Sequence, residues 1–362
     1  MTFNEQISTT AELLRGASRP LFVWGAGIRP YASAALAMAR SFGVPVACTW
    51  GAIDLINHND PLAVGGFGTH GTKGANLVIQ SSTLIIALGC RLDTKSTGTP
   101  QDFAPKAKIV MVDIDQAEIA KMPKVGREVF GICADAGDFI ESLTEACDPP
   151  GLNMHWLWQI KNWREQNVPK GEVYDLMNEI GRHTNENDII VSDTGNTLGW
   201  IMQGFPFKGE RFIHAFNFTP MGYGLAGAIG AAFADPLRRV VCIVGDGGAL
   251  MSINELATIA RHDLNIKIIL LNNRGHGMCR HTQRQWLGGN YYATSLEGGL
   301  GFPDWEYTAQ AFGIQLDLTL DCLFGGVTLP DNKPFAGPCF MEVKIDPDAS
   351  LAFQVKYGEA LA

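Results

Sequence analysis

Nine short apolar runs, separated by helix-length or turn-rich segments, constrain this chain more than any other feature of its sequence. In the first half they are Pro20–Trp24, Val44–Thr49, Thr83–Leu88 and Lys108–Asp113. In the second half they are Asp188–Ser192, Arg211–Ala215, Arg239–Val244, Ile266–Leu271 and Cys339–Ile345. Runs bounded by Gly, Asp or Asn and spaced by amphipathic stretches such as Tyr31–Phe42 predict β-α-β units, whose strands pair in parallel and are buried on both faces. The length, 362 residues, corresponds to two domains at roughly 150 residues each. Cys147–Gly171 opens on Asp-Pro-Pro-Gly and closes on Val-Pro-Lys-Gly, turn residues that suit a connector. The expected fold is α/β: two consecutive doubly wound parallel-sheet domains, over 1–150 and 172–362, joined by a linker over 151–171.

Composition narrows the function. With 46% apolar and 18% charged residues, the chain has too much apolar material for a disordered protein. A net charge of −9 argues against non-specific nucleic-acid binding, which needs a basic face. The eight cysteines include no Cys-x-x-Cys pair and read as reduced, mostly buried thiols of a cytoplasmic protein. MTFNEQISTT has no basic-then-apolar signal pattern. Ala215–Ala234 carries no charge, but its Gly, Ala, Pro, Asn and Thr content predicts a buried helix packed closely on a neighbour rather than a membrane span.

The sharpest local signal is Val241-Cys-Ile-Val-Gly245-Asp246-Gly247-Gly248, followed by Ile269-Leu-Leu-Asn272-Asn273. Each polar cluster follows an apolar strand, where the ligand crevice of an open parallel sheet lies. The glycines allow close approach of a phosphate, and a helix beginning near Ala249 aims its N–H groups at it. Asp246 and Asn273 are 27 residues apart, about one helix and one strand. Neighbouring strands would thus offer two hard oxygen ligands to one cation, a set that suits Mg²⁺ completed by phosphates and water. Either half alone is an ordinary turn or loop; the pair at this interval is distinctive.

GDGGALMSINELATIARHDLNIKIILLNN resembles the thiamine-diphosphate signature of acetolactate synthase and its relatives, and the resemblance extends over nearly the whole chain. It implies thiamine diphosphate and Mg²⁺ as cofactors, with Asp246 and Asn273 as side-chain metal ligands and Gly275 as a backbone-carbonyl ligand. It places Gly195, Asn196 and Gly248 at the diphosphate, with Thr197, Thr219, Gly245, Gly247, His276 and Gly277 in the cofactor-binding set. Met221, in Thr219-Pro-Met-Gly-Tyr-Gly, matches the apolar wedge that bends the cofactor into a V. Met251 and Met278 match positions beside the thiazolium and the substrate. Core filling is the competing reading for each Met.

Two departures stand out. Gly195-Asn196-Thr197 replaces a frequent Gly-Gln-His, leaving one phosphate contact open. Thr282 stands where a Trp is frequent, which implies a wider acceptor pocket. Trp286, Tyr291 and Tyr292 are candidates to stack on a bulky acceptor or to pack an interface, and His276 and His281 to touch substrate.

The first domain resembles the family's central domain, which binds FAD in some members, another nucleotide in others and nothing in many. His70, Lys73, Asn76, Arg91, Asp93, Asp113 and Asp115 fall in segments matching that groove, either as ligand contacts or as solvated loop residues. Full-length members carry a pyrimidine-binding domain, ahead of the central one, that supplies a glutamate to the cofactor. Here the central domain's first strand is reached near residue 20. The expectation is therefore the larger subunit of a split enzyme, hetero-oligomeric, completed by a separate pyrimidine-binding subunit that supplies the Glu. The implied reaction is decarboxylation of a pyruvate-like 2-oxo acid, with transfer of the acyl carbanion to a carbonyl acceptor. Three alternatives stay open: a catalytically silent thiamine- or nucleotide-binding regulatory or scaffolding subunit, a dehydrogenase using Gly25-Ala-Gly27, and a shortened form of a full-length enzyme.

Overall fold

All nine apolar runs form strands, each within two residues of the bounds read from sequence, and among the described residues three further strands join them. A computed structural model describes residues 1–149, 151–215, 218–325, 337–355 and 359–362. One sheet holds β1 (Pro20–Trp24), β2 (Val46–Cys48), β3 (Ala63–Gly66), β4 (Leu84–Leu88), β5 (Lys108–Asp113) and β6 (Phe130–Cys133), in the order β3-β2-β1-β4-β5-β6. The other holds β7 (Ile189–Ser192), β8 (Arg211–Ile213), β9 (Val240–Gly245), β10 (Ile266–Asn272), β11 (Gln315–Leu316) and β12 (Cys339–Lys344), in the order β11-β12-β10-β9-β7-β8. Every described pairing is parallel. Central strands such as β1 and β4 are buried along their full length, because helices cover both faces of such sheets.

The chain divides into two units, residues 1–169 with 353–362, and residues 170–352. Two expected boundaries therefore change. The segment expected as a linker over 151–171 instead carries a helix, Met154–Gln166, whose Trp156 and Ile160 are buried in the first unit's core. Trp156 there donates from its indole N–H to the Pro20 carbonyl at 3.0 Å. Residues 353–362, expected in the second domain, belong to the first unit, where Val355 and Leu361 join the core and Asn76 donates to the Leu361 carbonyl.

The charge-free stretch after Ala215 also differs from its expectation. It forms the helix Tyr223–Ala234, whose Leu225, Ala228, Ala231 and Ala232 pack into the second core. Its opposite face, with Ala226, Gly230 and Phe233, is exposed; Phe216 and Asn217 lie outside the described residues. Among the described residues no helix is long and apolar enough to cross a membrane. Five cysteines (48, 90, 147, 242 and 339) are buried, and Cys133, Cys279 and Cys322 are exposed.

Candidate functional site

In the second sheet the winding reverses between β7 and β9: the chain leaves β7 toward β8 on one side and β9 toward β10 on the other. Ligands of open parallel sheets bind outside the carboxyl ends of the strands at such a point. A cavity of about 300 Å³ lies there. Gly195, Asn196, Thr197, Thr219, Met221, Gly245, Asp246, Gly247, Gly248, Asn273, Gly275, His276, Gly277 and Met278 all line it. Asp193, Thr194, Trp200, Leu271 and Cys279 line it as well, and the motifs did not single these out. Asp193 was findable: it is a carboxylate directly after an apolar strand, as Asp246 is.

Three helices begin on this cavity, Asn196–Gly204, Asp246–Met251 and Gly277–Trp286, with Gly195, Gly245 and His276 as their N-cap residues. None of the three has a side-chain cap. Elsewhere Thr2, Thr72, Asp93, Asp135, Asn153 and Asp304 cap their helices by accepting a backbone N–H. The first turn of a helix leaves N–H groups without intrahelical partners and carries the positive end of the dipole. The uncapped turns thus suit an anion such as a diphosphate.

Asp246 follows β9 and is almost wholly buried. Its carboxylate accepts the Gly247 N–H at 2.8 Å and the Gly275 N–H at 3.1 Å. Burial nevertheless pushes its pKa up to about 6, because desolvation penalises the charged form. Asn273 follows β10, the strand hydrogen-bonded to β9 in register Leu271↔Gly245. A Cβ on Gly277 would lie 2.7 Å from Asn273 Nδ2 and 2.8 Å from Asn196 Nδ2, so two amides converge on a glycine that leaves them room. Among the described residues no three His, Cys, Asp or Glu side chains could hold a metal together. A cation at Asp246 would therefore complete its shell from amide and carbonyl oxygens, phosphates and water, the habit of Mg²⁺. His276 Nδ1 is buried with no hydrogen-bond partner, and burial lowers its pKa. It lies 2.2 Å from where a Gly247 Cβ would be, so the imidazole and an alanine at 247 are incompatible.

Thr219, two residues before Met221, has φ +42°, an uncommon conformation for a β-branched residue and one that is held where function requires it. Met221 and Met278 line the cavity. Met251 does not: it is 56% exposed, because the short helix after Asp246 ends by turning its last side chain outward. Thr197 lines the cavity where the family often has His. Thr282 is exposed, outside the cavity lining, and donates its hydroxyl to the Met278 carbonyl at 3.1 Å. Tyr291 accepts from Arg284 at 3.0 Å and faces the Arg280 guanidinium, while Trp286 and Tyr292 are exposed. His281 contacts Gln285 at 2.7 Å.

In the first unit the glycines after β1 have a packing role. A Cβ on Gly25 would lie 2.1 Å from the Gly89 carbonyl oxygen, and one on Gly27 would lie 2.9 Å from Gly89 Cα. These glycines bring the loops after β1 and β4 together at the β1/β4 switch point. Asp93 and Asp115 cap short helices, and Asp113 accepts the Asp115 N–H at 2.9 Å. Asn76 bonds both backbone groups of Gly68, His70 meets Trp50 edge-on, and Arg91 lies 3.8 Å from Asp93. The fold itself gives each of these side chains a partner.

Residues 7–143 match the family described as thiamine pyrophosphate enzyme, central domain, and residues 193–322 match thiamine pyrophosphate enzyme, C-terminal TPP binding domain. The chain is 30% identical over 370 residues to the acetolactate synthase isozyme 1 large subunit of Escherichia coli K12, covering 98% of this chain and 64% of the relative. It is 33% identical to a probable acetolactate synthase large subunit of Methanocaldococcus jannaschii, covering 96% and 61%. It is 30% identical to the acetolactate synthase large subunit of Porphyra purpurea, covering 99% and 62%. The chain spans less than two thirds of the length of these relatives.

Proposed function

The chain belongs to the thiamine pyrophosphate enzymes through its central and C-terminal domains, and from that premise we propose that it is the larger subunit of a split, acetolactate synthase-like carboligase. The observation that carries this reading is the switch-point cavity, where uncapped helix starts, Asp246 and Asn273 meet. Thiamine diphosphate supplies an electron sink for decarboxylating a 2-oxo acid such as pyruvate. The chain's own residues anchor it. N–H groups at the starts of the Asn196 and Gly277 helices receive the diphosphate, and the backbone at Gly247–Gly248 leaves room for it. Asp246, Asn273 and the Gly275 carbonyl hold Mg²⁺. Met221 and Met278 give the ring an apolar support that excludes water.

The described cavity lining contains no glutamate. In this reading a pyrimidine-binding domain on a partner chain would supply the activating carboxylate, and the working enzyme would be a hetero-oligomer. Mixing the full chain with that partner and following CO₂ release from pyruvate tests this. Release only from the mixture supports it, and equal turnover by the chain alone overturns the split reading. Magnesium-dependent cofactor binding that stays inert with every glutamate-bearing partner would favour a silent regulatory subunit.

Two further results are expected. Magnesium-dependent cofactor binding weakens as pH falls through about 6, because Asp246 then takes up the proton that competes with the cation. Calorimetric affinity at about pH 5 should be about tenfold below that at about pH 7.5. Thr282→Trp should leave cofactor affinity unchanged, since Thr282 lies outside the cavity lining, and shift acceptor preference toward smaller carbonyl compounds in competition assays.

A further inference from the structure

Asp193 lies one residue beyond β7 and is 2% exposed. Its backbone N–H donates to the Ile243 carbonyl at 3.2 Å, fixing it to β9. Its carboxylate reaches across to a different element. Oδ2 accepts the Gly224 N–H at 2.7 Å; Oδ1 accepts the Gly222 N–H at 3.3 Å and the Thr194 N–H at 2.8 Å. A Cβ on Gly248 would lie 2.6 Å from Oδ1, so the start of the Asp246 helix packs directly on this group.

The geometry explains how the loop before Tyr223–Ala234 is held. That helix has Gly222 as its N-cap residue, at φ +87°, and no cap from its own side chains. Asp193 caps it from the neighbouring strand instead, satisfying N–H groups that would otherwise be orphaned. The same bonds hold a loop with two positive-φ residues, Thr219 and Gly222, a conformation that persists only when its surroundings over-determine it. Met221 lies between those residues and lines the cavity.

We propose that Asp193 is a positioning residue: by capping the Tyr223–Ala234 helix from β7, it holds Met221 in the cavity wall while leaving the diphosphate contacts to the other helix starts. The inference rests on the cofactor reading above, but its central element, the clamp on residues 219–224, can be measured without cofactor. In Asp193→Asn one acceptor oxygen becomes an N–H donor facing backbone N–H groups. Amide exchange at Gly222 and Gly224 of the full chain should rise at least about tenfold over wild type. Thiamine diphosphate with Mg²⁺ should bind about tenfold more weakly, while inorganic pyrophosphate with Mg²⁺ should bind within about twofold of wild type.

Met221→Ala, which leaves Asp193 intact, should reproduce the ligand pattern without the exchange change, and it serves if Asp193→Asn does not fold. Unchanged exchange at Gly222 and Gly224, equal weakening of both ligands in Asp193→Asn, or no discrimination between the ligands by Met221→Ala would each overturn the proposal. Wild-type chain that binds neither ligand would sink the cofactor reading instead, and the exchange comparison would still decide whether Asp193 clamps the loop.

Discussion

Asp246→Ala is expected to remove magnesium-dependent binding of thiamine diphosphate, with affinity falling by at least about a hundredfold, or about 2.7 kcal/mol. The cavity lining holds two described carboxylates, Asp193 and Asp246. Both accept backbone N–H groups, but Asp193 turns its oxygens to the loop over residues 219–224, whereas Asp246 stands at the end of β9 beside the strand that leads to Asn273, so Asp246 is the carboxylate placed to give the cation a full negative charge. Isothermal titration with and without Mg²⁺ measures the loss, and wild-type affinity in the variant would refute the metal assignment. Asp246→Asn separates charge from shape: it fills the same volume and keeps an acceptor for one backbone N–H, yet should bind almost as poorly. Neither substitution should lower the melting temperature of the cofactor-free protein by much. Burial holds the Asp246 carboxyl near pKa 6 against an ordinary 3.8, so above that pH its charge works against folding and is retained for what it binds.

Gly25→Ala is expected to destabilise the first unit by about 3 kcal/mol or more. Gly25 has an extended backbone, φ −105° and ψ 179°, that alanine adopts readily, so the cost comes from space alone. The added methyl would stand 2.1 Å from the Gly89 carbonyl oxygen and 2.5 Å from Cys90 Cα, and backbone atoms cannot rotate aside as a side chain would. Relief requires parting the loops that follow β1 and β4, which Gly25 and Gly27 tie together by donating to the Leu88 and Gly89 carbonyls at 3.0 and 3.1 Å. Urea unfolding should show a lower midpoint for this unit, while cofactor affinity, set in the other unit, stays at the wild-type value. Gly16→Ala is the matching control. Nothing lies within 4 Å of its Cβ position, and it should be neutral or stabilising by a few tenths of a kcal/mol.

The interior of both sheets was legible in the sequence, and the strands that escaped notice share one physical trait. β3, β6 and β11 are all at sheet edges. An edge strand pairs on one side only and needs less apolar surface, so Ala63–Gly66 and Phe130–Cys133 carry glycines and Gln315–Leu316 is two residues long. The helix over Met154–Gln166 was hidden by turn residues on both sides, although Trp156 is buried in the core while Trp158 is exposed. At the site, the glycine and carboxylate positions were readable because strand ends and tight backbone approach leave a local signature. Met251 stands outside the described cavity lining, because the outward turn at the end of a short helix depends on packing that one sequence does not display. Asp193 carries the same strand-end signal as Asp246, but its capping role was not legible, because its partners, Gly222 and Gly224, lie about thirty residues downstream and the capping of a distant helix leaves no local motif.

The first unit draws its last core residues, Val355 and Leu361, from beyond the whole of the second unit. During synthesis, therefore, the N-terminal sheet can form early but cannot close its hydrophobic interior until the ribosome has translated nearly two hundred further residues, about ten seconds or more at typical translation rates. For that interval the cofactor-binding half is made while its neighbour is still unsealed, and a chaperone or protease would meet the nascent protein at the exposed seat of Leu361.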